Sequence, residues 1–371
     1  MREEILTSEN LGLRGKEITN QVLAKIKAAG IKAKFMHVCG THQDTIVRYG
    51  LDGMLKAVGV EIIQGPGCPV CVTTPKEILE AICLADKGMT ITTFGDMVNV
   101  PARGRSLAEC KAKGRKVQVV YGIDDAVRYA EAHPTEDVVF LGIGFETTIP
   151  ATAAAVVRGL PGNFSILSFH KIVPPALKSI IEMGEVNIQG LIEPGHVSTI
   201  IGLEPYRHIS KIPIPQVVAG FEPVDVLMAV YMLIKQLKEG RAEVENEYRR
   251  AVRDNGNPKA RDLMEQVFEP VDVAWRGFPV IPKSGLELRS QFDRNNARVR
   301  YRGTLSEFER TLGDVKEPKG CRCGEVLRGL IESKDCPMFA RQCSPQNPFG
   351  PCMVSHEGSC NIMYRYQARK K

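Results

Sequence analysis

The sequence lacks the features that would mark a membrane or exported protein. Its most apolar stretches, 138–157 and 217–234, are interrupted by Gly, Pro and Glu, so they suit buried strands and helices better than membrane spans. The opening residues, MREEILTSEN, carry acids where an export signal would carry a basic patch and an apolar core. We therefore expect a cytoplasmic protein without a transmembrane segment.

Patterns for binding nucleotides or nucleic acids are also missing. Neither GxGxxG nor GxxxxGK[ST] occurs, so the sequence gives no support for classical dinucleotide or Walker-type binding. The net charge of +6 is spread through 371 residues, and no basic stripe interleaved with aromatic residues is present. The local excess of charge at 365–371 is typical of a solvated tail. We expect no nucleic-acid partner.

Cysteine is abundant by contrast, and its concentration near the end of the chain predicts a metal or redox site. Thiolates are soft ligands for Fe–S clusters and zinc. Neither the paired CxxC knuckles of zinc sites nor the closely spaced ferredoxin run is present. Six of the eleven cysteines lie in this region: Cys321, Cys323, Cys336, Cys343, Cys352 and Cys360. Four of them as ligands of a [4Fe–4S] cluster and two as a neighbouring dithiol or disulfide would account for all six.

The region 33–240 repeats one unit, in which a short β-rich run is followed by a polar or glycine-rich loop and a helical segment. This alternation predicts an α/β fold with mainly parallel sheets. Eight units could close one barrel, but long linkers and irregular spacing favour two similar open sheets. We expect a first α/β domain with an N-terminal helix at 1–122 and a second at 123–240. A long helical stretch at 226–252 would lead to a smaller cysteine-rich Fe–S domain within 241–371.

The unusual residues follow the predicted strands, at the end of an open sheet where ligands bind. Cys68 and Cys71 form a CxxC turn, a spacing that allows a disulfide and lowers thiolate pKa values. The alternative is two small apolar residues in a glycine loop. Cys39 lies between His37 and His42, so it is either a nucleophile with its base or a soft metal ligand with a neighbouring proton carrier. A buried core role remains open for both.

Acidic residues and one histidine complete the candidate set. Glu146, Glu193 and Asp225 lie next to glycines where helical segments begin, so capping of those helices competes with a functional role. His196 lies in a Pro-Gly turn, PGHVST, and has little packing reason to be there. We therefore keep His196 as a candidate site residue.

Several long motifs carry a resemblance to one known family. They are CGTH at 39–42, GPGCPVC at 65–71, TTFGDM at 92–97, GFETT at 144–148, PGHVSTIIG at 194–202, QVVAGFEPVDVL at 216–227, and CRCGEVLRG with GPCMVSHEGSC in the tail. Together they closely resemble the motifs of the HypD family of [NiFe] hydrogenase maturation factors, over nearly the whole length. The fold implied by the resemblance is two similar α/β domains and a cluster-bearing C-terminal domain.

The resemblance implies a scaffold on which an iron centre with two cyanides and one carbon monoxide is assembled before delivery to the hydrogenase large subunit. A small HypC chaperone would dock and share the iron between its N-terminal cysteine and Cys39. HypE, carrying thiocyanate made with HypF, would supply cyanide. His42 lies in the motif around the iron-binding cysteine, and Cys68 and Cys71 match a redox-active pair. The implied cluster ligands are Cys321, Cys336, Cys343 and Cys360, and the implied neighbouring dithiol is Cys323 and Cys352.

These expectations give a working hypothesis of electron relay. Electrons would pass from a [4Fe–4S] cluster to Cys323 and Cys352, or directly to the CxxC pair, and the resulting thiolates would support ligand transfer to iron at Cys39. Glu146, His196 and Asp225 are candidates for residues around that iron. Two alternatives stay open: an Fe–S-dependent thiol/disulfide reductase similar to ferredoxin:thioredoxin reductase, and a zinc-stabilised binding module.

Overall fold

The computed structural model describes residues 13–209, 212–315 and 317–366. Eleven strands occur in this part of the chain. In order they are β1 (Ala33–His37), β2 (Val60–Gln64), β3 (Thr90–Thr93), β4 (Val117–Val119), β5 (Val138–Gly144), β6 (Phe164–His170), β7 (Gly190–Pro194), β8 (Gln216–Ala219), β9 (Val244–Asn246), β10 (Phe268–Ala274) and β11 (Val280–Leu288).

Helices separate most of these strands. They are α1 (Leu13–Ala29), α2 (Gly40–Tyr49), α3 (Leu51–Ala57), α4 (Pro69–Val72), α5 (Pro75–Asp86), α6 (Gly95–Val98), α7 (Leu107–Ala112), α8 (Ile123–Ala132), α9 (Ile149–Arg158), α10 (Val173–Met183), α11 (Gly195–Ile201), α12 (Glu204–Arg207), α13 (Pro223–Glu239), α14 (Pro258–Val267), α15 (Ala297–Arg300), α16 (Arg302–Leu312), α17 (Cys323–Leu327), α18 (Pro351–Val354) and α19 (Ser359–Tyr366). Short 3-10 helices cover Ser290–Asn295 and Ser333–Asp335. None of the helices in the described ranges is long and apolar enough to cross a bilayer.

Two parallel sheets form the centre of the fold, which confirms the α/β prediction. The first sheet has the strand order β2-β1-β7-β8-β9, and the second has the order β4-β3-β5-β6. All strand pairs within these two sheets are parallel. Strands β10 and β11 form a separate antiparallel hairpin. The eight strands predicted from β-rich runs correspond to β1 through β8.

The strands do not divide between the sheets at 122/123, where the sequence suggested a boundary. Strands β1 and β2 come from before that point, yet they share a sheet with β7, β8 and β9. Local pattern identifies a strand, but its partner is chosen by packing between distant parts of the chain. The domain limits 1–122, 123–240 and 241–371 therefore stay a prediction, and the sheets themselves are assembled in a different way.

The predicted helix at 226–252 is shorter in the structure and is followed by a strand. Helix α13 ends at Glu239, and Gly240 takes the left-handed conformation with φ of 65° while its N–H caps the last turn. Glycine adopts that conformation without the steric cost of a Cβ, so it is a common helix terminator. The chain then turns into β9, which forms the edge of the first sheet.

The core links the two sheets with the cysteine-rich tail. Alternate residues of a strand point to opposite faces, so Met36 faces the shared core whereas its neighbour Phe35 packs towards α13. Four tail cysteines, including Cys352 and Cys360, belong to the same buried cluster as Met36. The cysteines near the end of the chain are clustered, as predicted, and the structure places them against the core of both sheets. A separate Fe–S domain stays a prediction.

Candidate functional site

Cys39 lies at the junction between β1 and α2, where the backbone leaves the first sheet. It takes the N-cap position of α2 in an extended conformation, and its side chain makes no capping hydrogen bond. The residue is only 8% exposed. Burial, with a smaller contribution from the Glu357 carboxylate, raises the pKa of the Cys39 thiol to about 11. Cys39 is therefore a neutral thiol at pH 7 until a cation or metal stabilises the thiolate.

The glycine loop that precedes the CxxC turn packs directly on Cys39. The N–H of Gly40 donates to the carbonyl of Gly67 at 3.1 Å. A Cβ built on Gly67 would lie 2.2 Å from the backbone nitrogen of Cys39, which no side chain tolerates. The absence of a side chain at Gly67 is what lets these two sulfur-bearing loops meet.

The CxxC turn forms a disulfide. Cys68 and Cys71 are bonded, with their Cα atoms 5.2 Å apart, and each is 1% exposed. Cys68 is the N-cap of α4, and its sulfur accepts a hydrogen bond from the N–H of Cys71 at 3.1 Å. The redox activity of the Cys68–Cys71 pair stays a prediction. The burial means that reagents or partners reach this disulfide only through movement of the surrounding loops.

The two histidines beside Cys39 are buried and neutral. Burial lowers the pKa of His42 to about 3 and that of His37 to about 4. His42 donates from Nε2 to the carbonyl of Gly220 at 2.9 Å, which leaves Nδ1 as an unpartnered buried acceptor. His42 is therefore suited to hold a ligand or metal through a lone pair, and poorly suited to carry a proton at pH 7.

Glu146 is buried beside the start of α10. One carboxyl oxygen accepts from the N–H of Val173 at 2.9 Å, at the start of α10, and the other oxygen has no partner. Burial raises the pKa of Glu146 to about 7. Glu193, for which capping and a functional role were both open, is fully buried with both oxygens unpartnered, and burial raises its pKa to about 8. Both carboxyls can hold protons near neutral pH.

Asp225 and His196 lie at the end of the first sheet next to the His42 contact. Asp225 caps the first turn of α13 through Glu222 and pairs with Arg250, so its capping role is realised. His196 stacks on Phe221 with ring centroids 3.9 Å apart, and Phe221 lies 5.0 Å from His42. These side chains therefore brace the loop that receives the hydrogen bond from His42.

The tail cysteines surround a small apolar cavity. Val326, Met338, Phe339 and Met353 complete its lining, and the sulfurs of Cys321 and Cys323 are 3.3 Å apart. Contact with the Cys323 thiol is the main cause that raises the pKa of Cys321, and burial is the second. The cysteines that line the cavity are Cys321, Cys323, Cys336, Cys343 and Cys360.

Cys352 is buried but is not part of the cavity lining. Contact with the thiol of Cys323, which does line the cavity, is the main cause that raises the pKa of Cys352. No three His, Cys, Asp or Glu side chains in the described ranges converge as ligands of one metal ion. Thiols spread around an apolar cavity fit a multi-iron cluster, whose cysteine ligands bind different irons, better than a single zinc ion.

The segment 355–358 joins this cavity to Cys39. Asp96 accepts hydrogen bonds from the Ser355 hydroxyl at 3.0 Å and from the N–H of His356 at 3.1 Å. A Cβ on Gly40 would lie 2.6 Å from the Cβ of Glu357, so the tail rests on the first turn of α2. Helix α18 also packs against α4. Sequence reasoning assigned no role to Asp96 or Glu357; the motif GPCMVSHEGSC, with polar residues between two cysteines, was the available signal.

Comparison with known proteins gives a consistent assignment. Residues 16–367 match the family model HypD, described as the hydrogenase formation hypA family. A Methanocaldococcus jannaschii protein assigned to hydrogenase expression/formation is 46% identical over 342 residues, which cover 91% of this chain and 92% of the relative. Hydrogenase maturation factors HypD of Cupriavidus necator and Rhizobium leguminosarum are each 42% identical over 369 residues. These alignments cover 95% and 96% of this chain, and 95% and 93% of the relatives.

Proposed function

Because this chain belongs to the HypD family of hydrogenase formation proteins, we propose that it serves hydrogenase maturation as the scaffold on which the Fe(CN)2CO centre is assembled. The observation that carries the proposal is the packing of three cysteine-bearing segments against one another. The buried thiol of Cys39 lies against the loop of the CxxC disulfide, and the tail segment rests on the same turn of α2.

Cys39 is the residue that we propose to hold the iron cargo. Low-spin Fe(II) with cyanide and carbon monoxide needs few protein ligands, and a soft thiolate with open positions suits it. A positive iron offsets the cost of burying a thiolate, which otherwise keeps the pKa of Cys39 near 11. The unpartnered Nδ1 of His42 is a buried acceptor on the helix that Cys39 begins. Glu146, which has a free buried oxygen, stays a proposed neighbour of the iron.

Partner proteins supply what this chain lacks. A HypC-type chaperone would contribute a second thiolate to the iron, a HypE-type protein would donate cyanide, and the hydrogenase large subunit would receive the finished centre. His196 is exposed beside Phe221, at the strand end next to His42, and gives a docking partner an aromatic surface close to the site. Loop closure by such a partner would exclude water from the buried thiol.

Four of the cavity cysteines, Cys321, Cys336, Cys343 and Cys360, would hold a [4Fe–4S] cluster. When bound, such a cluster supplies single electrons. Cys352 belongs to α18 and contacts the thiol of Cys323, and α18 packs on α4. Reduction of the Cys68–Cys71 disulfide breaks one S–S bond and consumes two electrons and two protons, which yields two thiols beside Cys39.

The decisive experiment replaces Cys39 with Ala. The variant should fold, take up iron and sulfide in the tail and remain brown, yet it should show no cyanide or carbonyl infrared bands when isolated anaerobically with HypC. Cys83→Ala, which changes a half-buried thiol in α5 away from these loops, is the matched control and should keep the bands. Infrared bands in the Cys39→Ala complex would place the iron elsewhere.

A thiol/disulfide reductase of the ferredoxin:thioredoxin reductase type is the second candidate, because a disulfide lies close to a cysteine-lined cavity. The burial of Cys68 and Cys71 at 1% exposure counts against a protein disulfide as substrate. Anaerobic co-purification distinguishes the two functions. A scaffold should be isolated with HypC, whereas a free-standing reductase should reduce disulfide substrates at undiminished rate without it.

A further inference from the structure

A chain of buried hydrogen bonds connects the Cys39 region with the cysteine cavity. His37 Nε2 lies 2.7 Å from Gln43 Oε1, and Gln43 Nε2 donates to the Ser359 hydroxyl at 3.3 Å. The Ser333 hydroxyl donates to the same Ser359 oxygen at 2.9 Å. All four side chains are buried.

One end of the chain flanks Cys39. His37 is the last residue of β1 and Gln43 lies in the first turn of α2, so the two partners bracket Cys39. The backbone N–H of Gln43 also donates to the carbonyl of Cys39 at 3.1 Å. Any shift of Gln43 therefore moves the turn that carries the thiol.

The other end flanks two cavity cysteines. Ser333 begins the short 3-10 helix that leads into Cys336, and the N–H of Cys336 donates to the Ser333 carbonyl at 3.2 Å. Ser359 directly precedes Cys360 at the start of α19. Both cysteines line the cavity. The two serines are thus fixed by the same short segments that place these cysteines.

Gln43 connects the two ends through both groups of its side-chain amide. Its NH2 group donates to Ser359, so its carbonyl oxygen faces His37 and accepts from Nε2. Both polar groups of the Gln43 amide are therefore engaged, one at each end of this hydrogen-bonded series.

Helices α2 and α19 are also joined by contacts that do not belong to this series of buried hydrogen bonds. The Arg365 guanidinium donates to the Asp44 carboxylate at 3.0 Å and to the His356 carbonyl at 2.8 Å. Ion pairs at such half-exposed positions contribute little alone, whereas a buried and satisfied polar chain fixes relative position. Packing of α19 on α2 transmits a displacement at Ser359 to the helix that Cys39 begins.

We propose that Gln43 is a positioning residue that couples occupation of the cysteine cavity to the placement of the Cys39 thiol. Ligation of Cys336 and Cys360 fixes the backbone of Ser333 and Ser359, and Gln43 passes that restraint to α2. This inference rests on the proposed cluster and iron sites. Coupling between two sites is reciprocal, so iron held at Cys39 would stabilise the loaded cavity by the same factor.

The test measures how fast N-ethylmaleimide alkylates Cys39, by mass spectrometry of its peptide. Anaerobic protein is compared before and after reconstitution with iron and sulfide. In the natural chain the two alkylation rates should differ at least about fivefold, the lower end of typical site-to-site coupling. In Gln43→Met, which keeps the volume and removes both polar atoms, the difference should fall below about twofold. Iron and sulfide content should be unchanged.

Matched variants separate coupling from general loosening. Thr45→Val lies on the same helix but removes a hydrogen bond to the Phe221 carbonyl, and it should keep the full difference in rates. Ser359→Ala removes the hydroxyl that accepts the hydrogen bond from Gln43, so it should behave like Gln43→Met. The double variant should lose no more than either single change, since both act on one link. Ser359→Thr retains the hydroxyl and should restore the difference.

Each result has a defined meaning. Equal alkylation rates in the loaded and empty natural chain would overturn the coupling while leaving the scaffold function intact. A Gln43→Met variant with the natural difference would also overturn it. Failure of the natural chain to take up iron and sulfide would refute both the proposed cluster and the coupling. If Gln43→Met does not fold, Ser359→Ala with its Thr rescue decides the question.

Discussion

Gly277 and Gly324 pack backbone against backbone. A Cβ built on Gly277 would lie 2.3 Å from the Cα of Gly324, and Gly277 also has a φ of +82°. Gly324 follows Cys323 in α17, whereas Gly277 belongs to the turn after the buried Trp275. The cysteine at the wall of the cavity is therefore seated by a contact that admits no side chain.

Replacing Gly277 with Ala should destabilise the protein and disturb the cavity. The contact atoms belong to backbone and cannot rotate away, and the left-handed conformation adds strain, so a loss of about 2–4 kcal/mol in the free energy of unfolding is expected. Chemical denaturation and iron and sulfide content measure the two effects. Gly303→Ala, in α16 with no heavy atom within 4 Å, should be neutral or stabilising. Equal behaviour of the two variants would contradict the packing argument.

Gly67→Ala should damage the iron site more than the tail. The added methyl group would meet the backbone of Cys39, so the thiol must move or the loop must open. We expect normal iron and sulfide uptake in the tail but loss of the cyanide and carbonyl infrared bands in the complex with HypC. Gly53→Ala in α3, where a Cβ has no atom within 4 Å, should keep the bands. Retained bands in Gly67→Ala would show that Cys39 tolerates the displacement.

Glu193 should make stability fall as the pH rises. Its pKa is about 8 in the folded protein against 4.5 as the ordinary value, because burial disfavours the carboxylate. The folded state therefore binds more protons between these values, and the free energy of unfolding falls by about 1.4 kcal/mol for each pH unit crossed.

The variant Glu193→Gln should lose this part of the pH dependence. In urea denaturation at pH 6, 7 and 8, the free energy of unfolding of the variant should rise relative to that of the natural protein as the pH rises. Comparing the two chains at each pH cancels the contributions of the buried histidines. Glu131→Gln, an exposed change on α8, is the control and should leave the dependence unaltered. If the free energy of unfolding of Glu193→Gln fell with pH as steeply as that of the natural protein, the Glu193 carboxyl would have to be solvated.

Removing one partner of the buried ion pair between Lys171 and Glu77 should destabilise the protein far more than removing the exposed ion pair between Lys76 and Glu309. Lys171 Nζ lies 2.6 Å from Glu77 Oε1, with the two side chains only 2% and 11% exposed. Glu77→Gln leaves a buried ammonium without its counter-charge and should cost about 3–5 kcal/mol. Lys76→Met removes the exposed pair with Glu309 and should cost no more than about 1 kcal/mol. Thermal and urea denaturation of both variants check this contrast.

Sequence pattern predicted the elements of this fold better than their partners. Short β-rich runs located β1 through β8 because most of these strands are buried along their whole length, so each reads as a short apolar run between loops. The pairing of β1 with β7 could not be read this way, since His37 and Ile192 meet through packing of distant segments. Strand β9 was missed because the helical pattern continues past Gly240, whose left-handed backbone ends α13.

The candidate site was predictable where chemistry follows a strand end. Cys39 and the CxxC pair lie at the loops that the strand-end rule selects, and the structure brings them together. The role of Asp96 was not predictable, because its partners Ser355 and His356 are supplied by the tail. Gln43 was also invisible to pattern, since a buried amide in a helix acquires meaning only from its contacts in the tail.

The way the first sheet is assembled sets the order in which the protein can be completed during synthesis. The second sheet, built from four consecutive strands, can form while the ribosome is still making the remainder of the chain. Phe35 must wait for Gly190 before its strand gains a second neighbour. The turn that carries Cys39 is covered later still, because Glu357, which rests on Gly40, is among the last residues to leave the ribosome. We therefore expect the Cys39 thiol to be less sheltered in the nascent chain than in the finished protein.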